Sequence, residues 1–284
     1  MTETRHIDFL KMEGAGNDFP VFDLRGRTLR LNSAVAAAAG DRRFGIGGDQ
    51  VIAIEPAQNP GADAFMRIFN HTGDEVEACG NATRAVARYL MDESGKDQVT
   101  IETVAGRLVG HDAGGCLVRV DMGEPSLEAA AIPLSENIDT VTLPITLKVP
   151  GLPTLQGPGA VNMGNPHMVF TVEDAAAYPL EEIGPLLEHH ALYPQRCNVS
   201  LAEVRKNGSV SLRVWERSAG ITLACGSAAC ATLVALHRQG HIGREAAIDL
   251  PGGRLQIAWD DQNHIHMTGP VRTAFTGIWE WPNV

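Results

Sequence analysis

An α+β fold built twice is predicted for this chain of 284 residues. Strand patterns outnumber helical ones in both halves, and four blocks of the first half recur in the same order in the second. Residues 68 to 90 and 214 to 236 align so that Cys79 and Cys225, each in an Ala-Cys-Gly triplet, fall 146 residues apart. GAGNDFPVF (14 to 22) pairs with NMGNPHMVF (162 to 170) at a spacing of 148, as Gln50 does with Asn198. IETVAGRL (101 to 108) pairs with IDLPGGRL (248 to 255) at 147. A chance match would scatter its spacings, so these imply an internal duplication into halves, each long enough for its own core.

In chain order, alternating or apolar runs predict strands at 6 to 12 and 19 to 24, a helix at 33 to 39, and strands at 50 to 55 and 64 to 70. A helix at 80 to 92 follows Cys79, then strands at 98 to 103 and 116 to 122. GEPSLEAAAIPLSENID loses periodicity and gains Pro and acidic residues, which places a linker near 123 to 140. The expected domains are 1 to 124 and 125 to 269, with a tail from about 270 to 284 (ending IWEWPNV) returning to the first half.

Beyond the linker, strands are expected at 143 to 149, 167 to 172, 197 to 205 and 209 to 216, with a helix at 180 to 190. Asn207-Gly208 marks a hairpin. A helix at 226 to 238 follows Cys225, then strands at 245 to 250, 254 to 259 and 264 to 268. SAACATLVALH carries no charge before Arg238, so this helix should be enclosed by sheet, whereas Arg84 and Arg88 give its counterpart a wetter side.

The net charge of −11 and pI near 5.3 leave no general basic surface for nucleic acid or anionic membrane. No apolar run approaches the ~18 residues of a membrane span, and MTETRHIDFLKMEG does not resemble a signal peptide, so a cytoplasmic protein is expected. Cysteines 79, 116, 197, 225 and 230 include no CxxC pair, which argues against zinc and for reduced thiols.

Cys116, Cys197 and Cys230 read as small buried apolar residues. Cys79 and Cys225 differ, because unpaired N–H groups and the dipole at a helix start stabilise a thiolate and bind carboxylates. With period two, Asn70 continues the face of Ala64, Met66 and Ile68, and Glu216 continues that of Val210, Leu212 and Val214. Each strand before a cysteine thus ends in an inward polar group that needs a partner.

KMEGAGNDF, FGIGGDQ, FNHTGDEVEACGN, NMGNPH and ERSAGITLACGS together resemble the signature blocks of diaminopimelate epimerases, over nearly the whole chain. The resemblance implies two pseudo-symmetric domains, each a mixed sheet wrapped around a central helix, with the active site in the cleft between them, and a homodimer. It implies cofactor-independent interconversion of LL- and meso-2,6-diaminopimelate in bacterial lysine and cell-wall precursor synthesis. Cys79 and Cys225 would exchange proton-donor and acceptor roles on opposite faces of one carbon. Asn17, Gln50, Asn70, Gly80, Asn81, Asn165, Asn198, Glu216, Arg217, Gly226 and Ser227 would bind substrate, Arg217 taking the distal carboxylate. The backbone N–H groups of Gly80-Asn81 and Gly226-Ser227 would stabilise the carbanion. His167 and Glu216 would tune the thiols. Four lysines without an evident Schiff-base setting, and no GxGxxG or Walker loop, agree with the expected lack of a cofactor; no metal is expected either.

Two departures from the family pattern bear on loops. ERSAGIT stands where ERGxGET is usual, putting Ser218 for Gly and Ile221 for Glu, and CGNA stands for CGNG, with Ala82 for Gly; Ser218 and Ala82 should restrict loops that glycine leaves free. A racemase of histidine or proline would keep both cysteines without needing Arg217. A thiol redox protein would use the pair as a disulfide, and a non-catalytic amino-acid binding protein would need neither thiol.

Overall fold

A computed structural model describes residues 5–77 and 79–282. Residues 1 to 4, the last two residues of the tail and Ala78 of the first Ala-Cys-Gly triplet lie outside the described set. The chain divides into two compact units, one running to Val120 and resuming at Thr268, the other spanning Asp121–Met267.

The first unit contains β1 (Arg5–Gly14), β2 (Asn17–Asp23), α1 (Ser33–Gly40), β3 (Gln50–Glu55), β4 (Ala64–Asn70), the short β5 (Glu75–Val76), α2 (Gly80–Ser94), β6 (Gln98–Thr103), β7 (Gly106–Asp112) and β8 (Leu117–Asp121). Next come β9 (Thr146–Leu147), β10 (Leu155–Gln156), β11 (Gly159–Asn162), β12 (Pro166–Val172), α3 (Leu180–Glu188), β13 (Asn198–Val204), β14 (Val210–Glu216) and β15 (Gly220–Ile221). The chain continues through α4 (Gly226–Arg238), β16 (Glu245–Leu250), β17 (Gly253–Trp259) and β18 (Ile265–Pro270) to β19 (Arg272–Trp281).

The duplication is visible in the ladders. In the first unit β2 runs parallel to β3, β3 antiparallel to β4, and β4 parallel to β6 across α2. In the second, β12 runs parallel to β13, β13 antiparallel to β14, and β14 parallel to β16 across α4. The registers repeat as well: Val21 faces Ile52 as Val169 faces Ser200, Val51 faces Phe69 as Val199 faces Trp215, and Ala64 faces Ile101 as Val210 faces Ile248. A slip of one residue would turn every side chain to the wrong face, so equal registers mean equal faces inward.

α4 is enclosed, with Ala228 through Leu236 all buried, and Leu233, Val234 and Leu236 each contribute roughly 1.5 to 3 kcal/mol by leaving water. The wetter side expected for α2 is absent at Arg84, which is fully buried beside Gly14; a Cβ there would stand 3.2 Å from its Nη2. Wrapping of the N-terminal half of α2 takes the guanidinium inside, and only Arg88, one turn later, reaches Asp92 (2.6 Å) and Asp112 (3.1 Å) near the surface.

The strand expected at 143 to 149 is reduced to Thr146–Leu147. Its alternation is real, since Leu143, Ile145 and Val149 enter the core of the second unit, but Pro144 and Pro150 supply no ladder N–H. At Asn207-Gly208 the hairpin is present with a longer loop: Arg205 and Ser209 close it, Gly208 has φ 82°, and Asn207 Oδ1 accepts the Ser209 N–H. β7, β11 and β19, with the two-residue β5, β10 and β15, are additions to the expected strands. β19 pairs antiparallel with β1, and Trp279 (tilted) and Trp281 (edge-on) pack against Phe22 with ring centres 5.6 and 5.3 Å away.

Candidate active site

Cys79 and Cys225 are the N-cap residues of α2 and α4, with extended backbone (φ −149° and −127°) and no side-chain cap. Their carbonyls accept the first helical bonds, from Thr83 N–H (2.9 Å) and Ala229 N–H (3.1 Å). The N–H groups of the first turn that precede those donors have no intrahelical partner, which leaves the positive ends of two helix dipoles beside the thiols.

In the first unit, Asn17 starts β2, Gln50 starts β3 and faces Asn70 at the end of β4. Asn17 Oδ1 accepts from Asn81 Nδ2 at 3.3 Å and lies 3.8 Å from Cys79 Sγ. Its Nδ2 donates to Asp49 at 2.8 Å, which fixes the amide orientation. Asp49 is tied in turn to Arg42 (2.8 Å), and Arg42 to Asp18 (2.6 Å), which pairs with Lys11 (2.7 Å). Gln50 Oε1 and Asn81 Oδ1 are buried without a hydrogen-bond partner, a state that normally costs ~1 to 3 kcal/mol per group.

The second unit repeats the plan at Asn165, Asn198 and Glu216, with one insertion of charge. Asn165 Oδ1 is 2.7 Å from His167 Nε2, so the ring donates there and its buried Nδ1 is left without a partner. Burial, with Arg217 adding a smaller push, lowers the His167 pKa to about 3 and keeps the ring neutral. Asn198 donates to the Pro166 carbonyl (3.3 Å) and accepts the Arg217 N–H at 2.8 Å. The Arg217 guanidinium donates to the Gln195 carbonyl at 3.2 Å and remains exposed. Glu216 accepts from the Thr222 hydroxyl.

Cys225 is 5% exposed. Burial pushes its thiol well above the ordinary range and the negative charge of Glu216 adds to that, outweighing Ser227 and the Ala228 N–H, which favour the thiolate. Despite its place at a helix N-terminus, the Cys225 thiol thus lies above the ordinary range, with burial the largest cause. Cys197 and Cys230 are buried as expected, but Cys116 is exposed at the edge of β8, one residue before an outward-facing Leu117.

The departures divide. Ala82 lies within α2, fully buried, where alanine is a better helix former than glycine, so no loop is restricted there. Ser218 does occupy a left-handed position, φ 64°, that glycine would enter freely. Ile221 is half-exposed on β15 opposite Trp215. Sequence reasoning passed over Asp49, although it adjoins Gln50, and over Glu188, a buried carboxylate with no motif around it.

Comparison with known proteins bears on the whole chain. The model of the family described as diaminopimelate epimerase matches residues 9–128 and 159–274. A diaminopimelate epimerase of Rhodospirillum centenum is 51% identical over 269 residues, 95% of this chain and 91% of that protein. That of Acidiphilium cryptum is 49% identical, covering 95% of each. Among solved structures, a hydroxyproline epimerase from Agrobacterium vitis superposes with a TM-score of 0.68 at 15% identity, over 98% of this chain and 93% of that one, a likeness of fold.

Proposed function

The chain belongs to the diaminopimelate epimerase family, an isomerase family, and we propose that it interconverts LL- and meso-2,6-diaminopimelate by passing protons through Cys79 and Cys225. The observation that carries the two-thiol reading is the repetition itself: each unit presents one cysteine at the N-cap of a helix whose first turns are buried, between strands of matching register. Inversion at carbon needs a base on one face and an acid on the other, with roles exchanged in the reverse direction, and two equivalent thiols satisfy that symmetry.

In the forward step one thiolate takes the α-proton as the C–H bond breaks, and the electron pair left on carbon spreads into the adjoining carboxylate. The N–H groups of Gly80-Asn81 and Gly226-Ser227 donate to that carboxylate as its charge grows. The opposing thiol then delivers its proton to the other face and becomes the thiolate. General acid–base action is worth ~10² to 10⁴, so the helix N-termini must supply much of the remaining acceleration.

Burial, with Glu216 adding to it, holds Cys225 as a thiol, which makes its thiolate a strong base once formed; the substrate α-ammonium supplies the charge that favours ionisation. Neutral His167 orients Asn165 by hydrogen bonding. Asn17, Gln50, Asn70, Asn81 and Asn198 bind the polar groups around the α-carbon, and Arg217 takes the distal carboxylate in a bidentate contact. On this reading the product feeds bacterial lysine and peptidoglycan precursor synthesis, and the enzyme acts as a cytoplasmic homodimer on a small molecule.

A substrate panel tests the assignment. The protein without added cofactor should convert LL-diaminopimelate to the meso form and leave L-proline and L-histidine unchanged. Racemisation of proline or histidine in preference to diaminopimelate would reject the assigned substrate and with it the role of Arg217.

A further inference from the structure

Glu188 closes α3 and is 3% exposed. A carboxylate at a helix C-terminus meets the negative end of the dipole, and a buried one needs donors. Here the donors come from the two segments that hold Arg217. One carboxylate oxygen accepts the Trp215 indole N–H at 2.7 Å. The other accepts the Ser218 backbone N–H at 3.1 Å and lies 3.8 Å from Arg196 Nη1.

Ser218 (φ 64°) and Arg196 (φ 62°) are two of five non-glycine residues with positive φ among the described residues, a conformation that L side chains avoid. Each adjoins a segment that fixes Arg217. Ser218 follows Arg217 directly, and Arg196 follows Gln195, whose carbonyl takes the guanidinium. Asn198, two residues beyond Arg196, takes the Arg217 N–H. α3 also lies flat against Trp215, since a Cβ at Gly184 would come within 2.5 Å of the indole ring, so the ring N–H is aimed at Glu188 by packing.

We propose that Glu188 is a positioning residue that holds the left-handed turns at Arg196 and Ser218 and so sets the direction in which Arg217 meets the distal carboxylate of the substrate. The inference rests on the role given to Arg217 above. It also accounts for Ser218: where glycine would enter the turn unaided, this chain secures the same backbone with a carboxylate.

Steady-state kinetics of Glu188→Gln test it. Loss of one charge-assisted acceptor should raise KM for LL-diaminopimelate about tenfold, with kcat within about threefold. Adding Ser218→Gly to Glu188→Gln should return KM to within about threefold of the parent, because glycine takes positive φ without help. A merely structural Glu188 would instead lower the folded fraction and apparent kcat, leave KM alone and show no rescue, and that result overturns the proposal. If Glu188→Gln does not fold, Glu188→Asp, which retracts the carboxylate, is measured by the same criteria. Arg217→Ala separates the two levels. Unchanged KM in Arg217→Ala defeats the Arg217 reading itself. Raised KM there, with no further rise when Glu188→Gln is added, supports both, whereas an independent further rise defeats the positioning role alone.

Discussion

Acidification should destabilise this protein through one imidazole ring. His167 is fully buried, gives its Nε2 proton to Asn165 and keeps Nδ1 without a partner, so a second proton would place an unpaired charge in the interior. Its pKa is lowered to about 3 by burial and by Arg217, against 6.5 for a free histidine. The folded state therefore refuses a proton that the unfolded state accepts below pH 6.5, and the stability present above that pH is lost as pH falls toward 3. Between pH 7 and pH 5 the loss is about 2 kcal/mol, at 1.36 kcal/mol per pH unit below 6.5. Urea unfolding at the two pH values, in the parent and in His167→Gln, measures it. Half-buried His264, whose pKa is raised by Asp121, works in the opposite direction, so the difference between parent and variant is the quantity that isolates His167. The parent should lose ~2 kcal/mol more than the variant; equal losses would refute the account of the buried ring.

Three further outcomes follow from the site. Glu216→Gln removes the charge that adds to burial in raising Cys225, so in a Cys79→Ala background the ultraviolet absorbance of the Cys225 thiolate should appear at lower pH than with Glu216 intact; coincident titrations would contradict that coupling. Asp49→Ala frees the Asn17 amide while Arg42 keeps its bond to Asp18, so kcat/KM should fall about tenfold with little change in the urea midpoint; unaltered kinetics would remove Asp49 from the site. Gly184→Ala drives a methyl into the Trp215 ring and should destabilise by ~1 to 3 kcal/mol in thermal or urea unfolding; parent-like stability would show that α3 can move away.

The duplication was legible because strand register is set by the inward face, and the recurring blocks hold the residues that set it, from Val21 and Val169 to Ile101 and Ile248. The residues proposed for each half-site stand out in the sequence because they fall at strand ends and around helix N-caps, where polar types interrupt the apolar runs. Arg84 was misread because a helical pattern reports polarity along one helix and not the reach of the sheet around it. The Cys225 pKa was misread for a similar reason: the helix dipole is local, whereas burial depends on everything packed against the thiol. The return of the tail to the first half was expected, but β19 was not read as a strand, because most of its side chains are exposed and its pairing with β1 spans almost the whole chain. Glu188 acts through residues near and far in sequence, and only the folded chain brings them to it.

Proton exchange in D₂O decides whether one thiol serves each face of one carbon. LL-diaminopimelate is incubated with the parent, with Cys79→Ala and with Cys225→Ala under reducing conditions, and NMR follows deuterium at the α-carbon together with the meso product. Deuterated meso product is expected from the parent, with loss of epimerisation in both variants. Sustained conversion by either single variant, or no exchange at all by the folded parent, would contradict it.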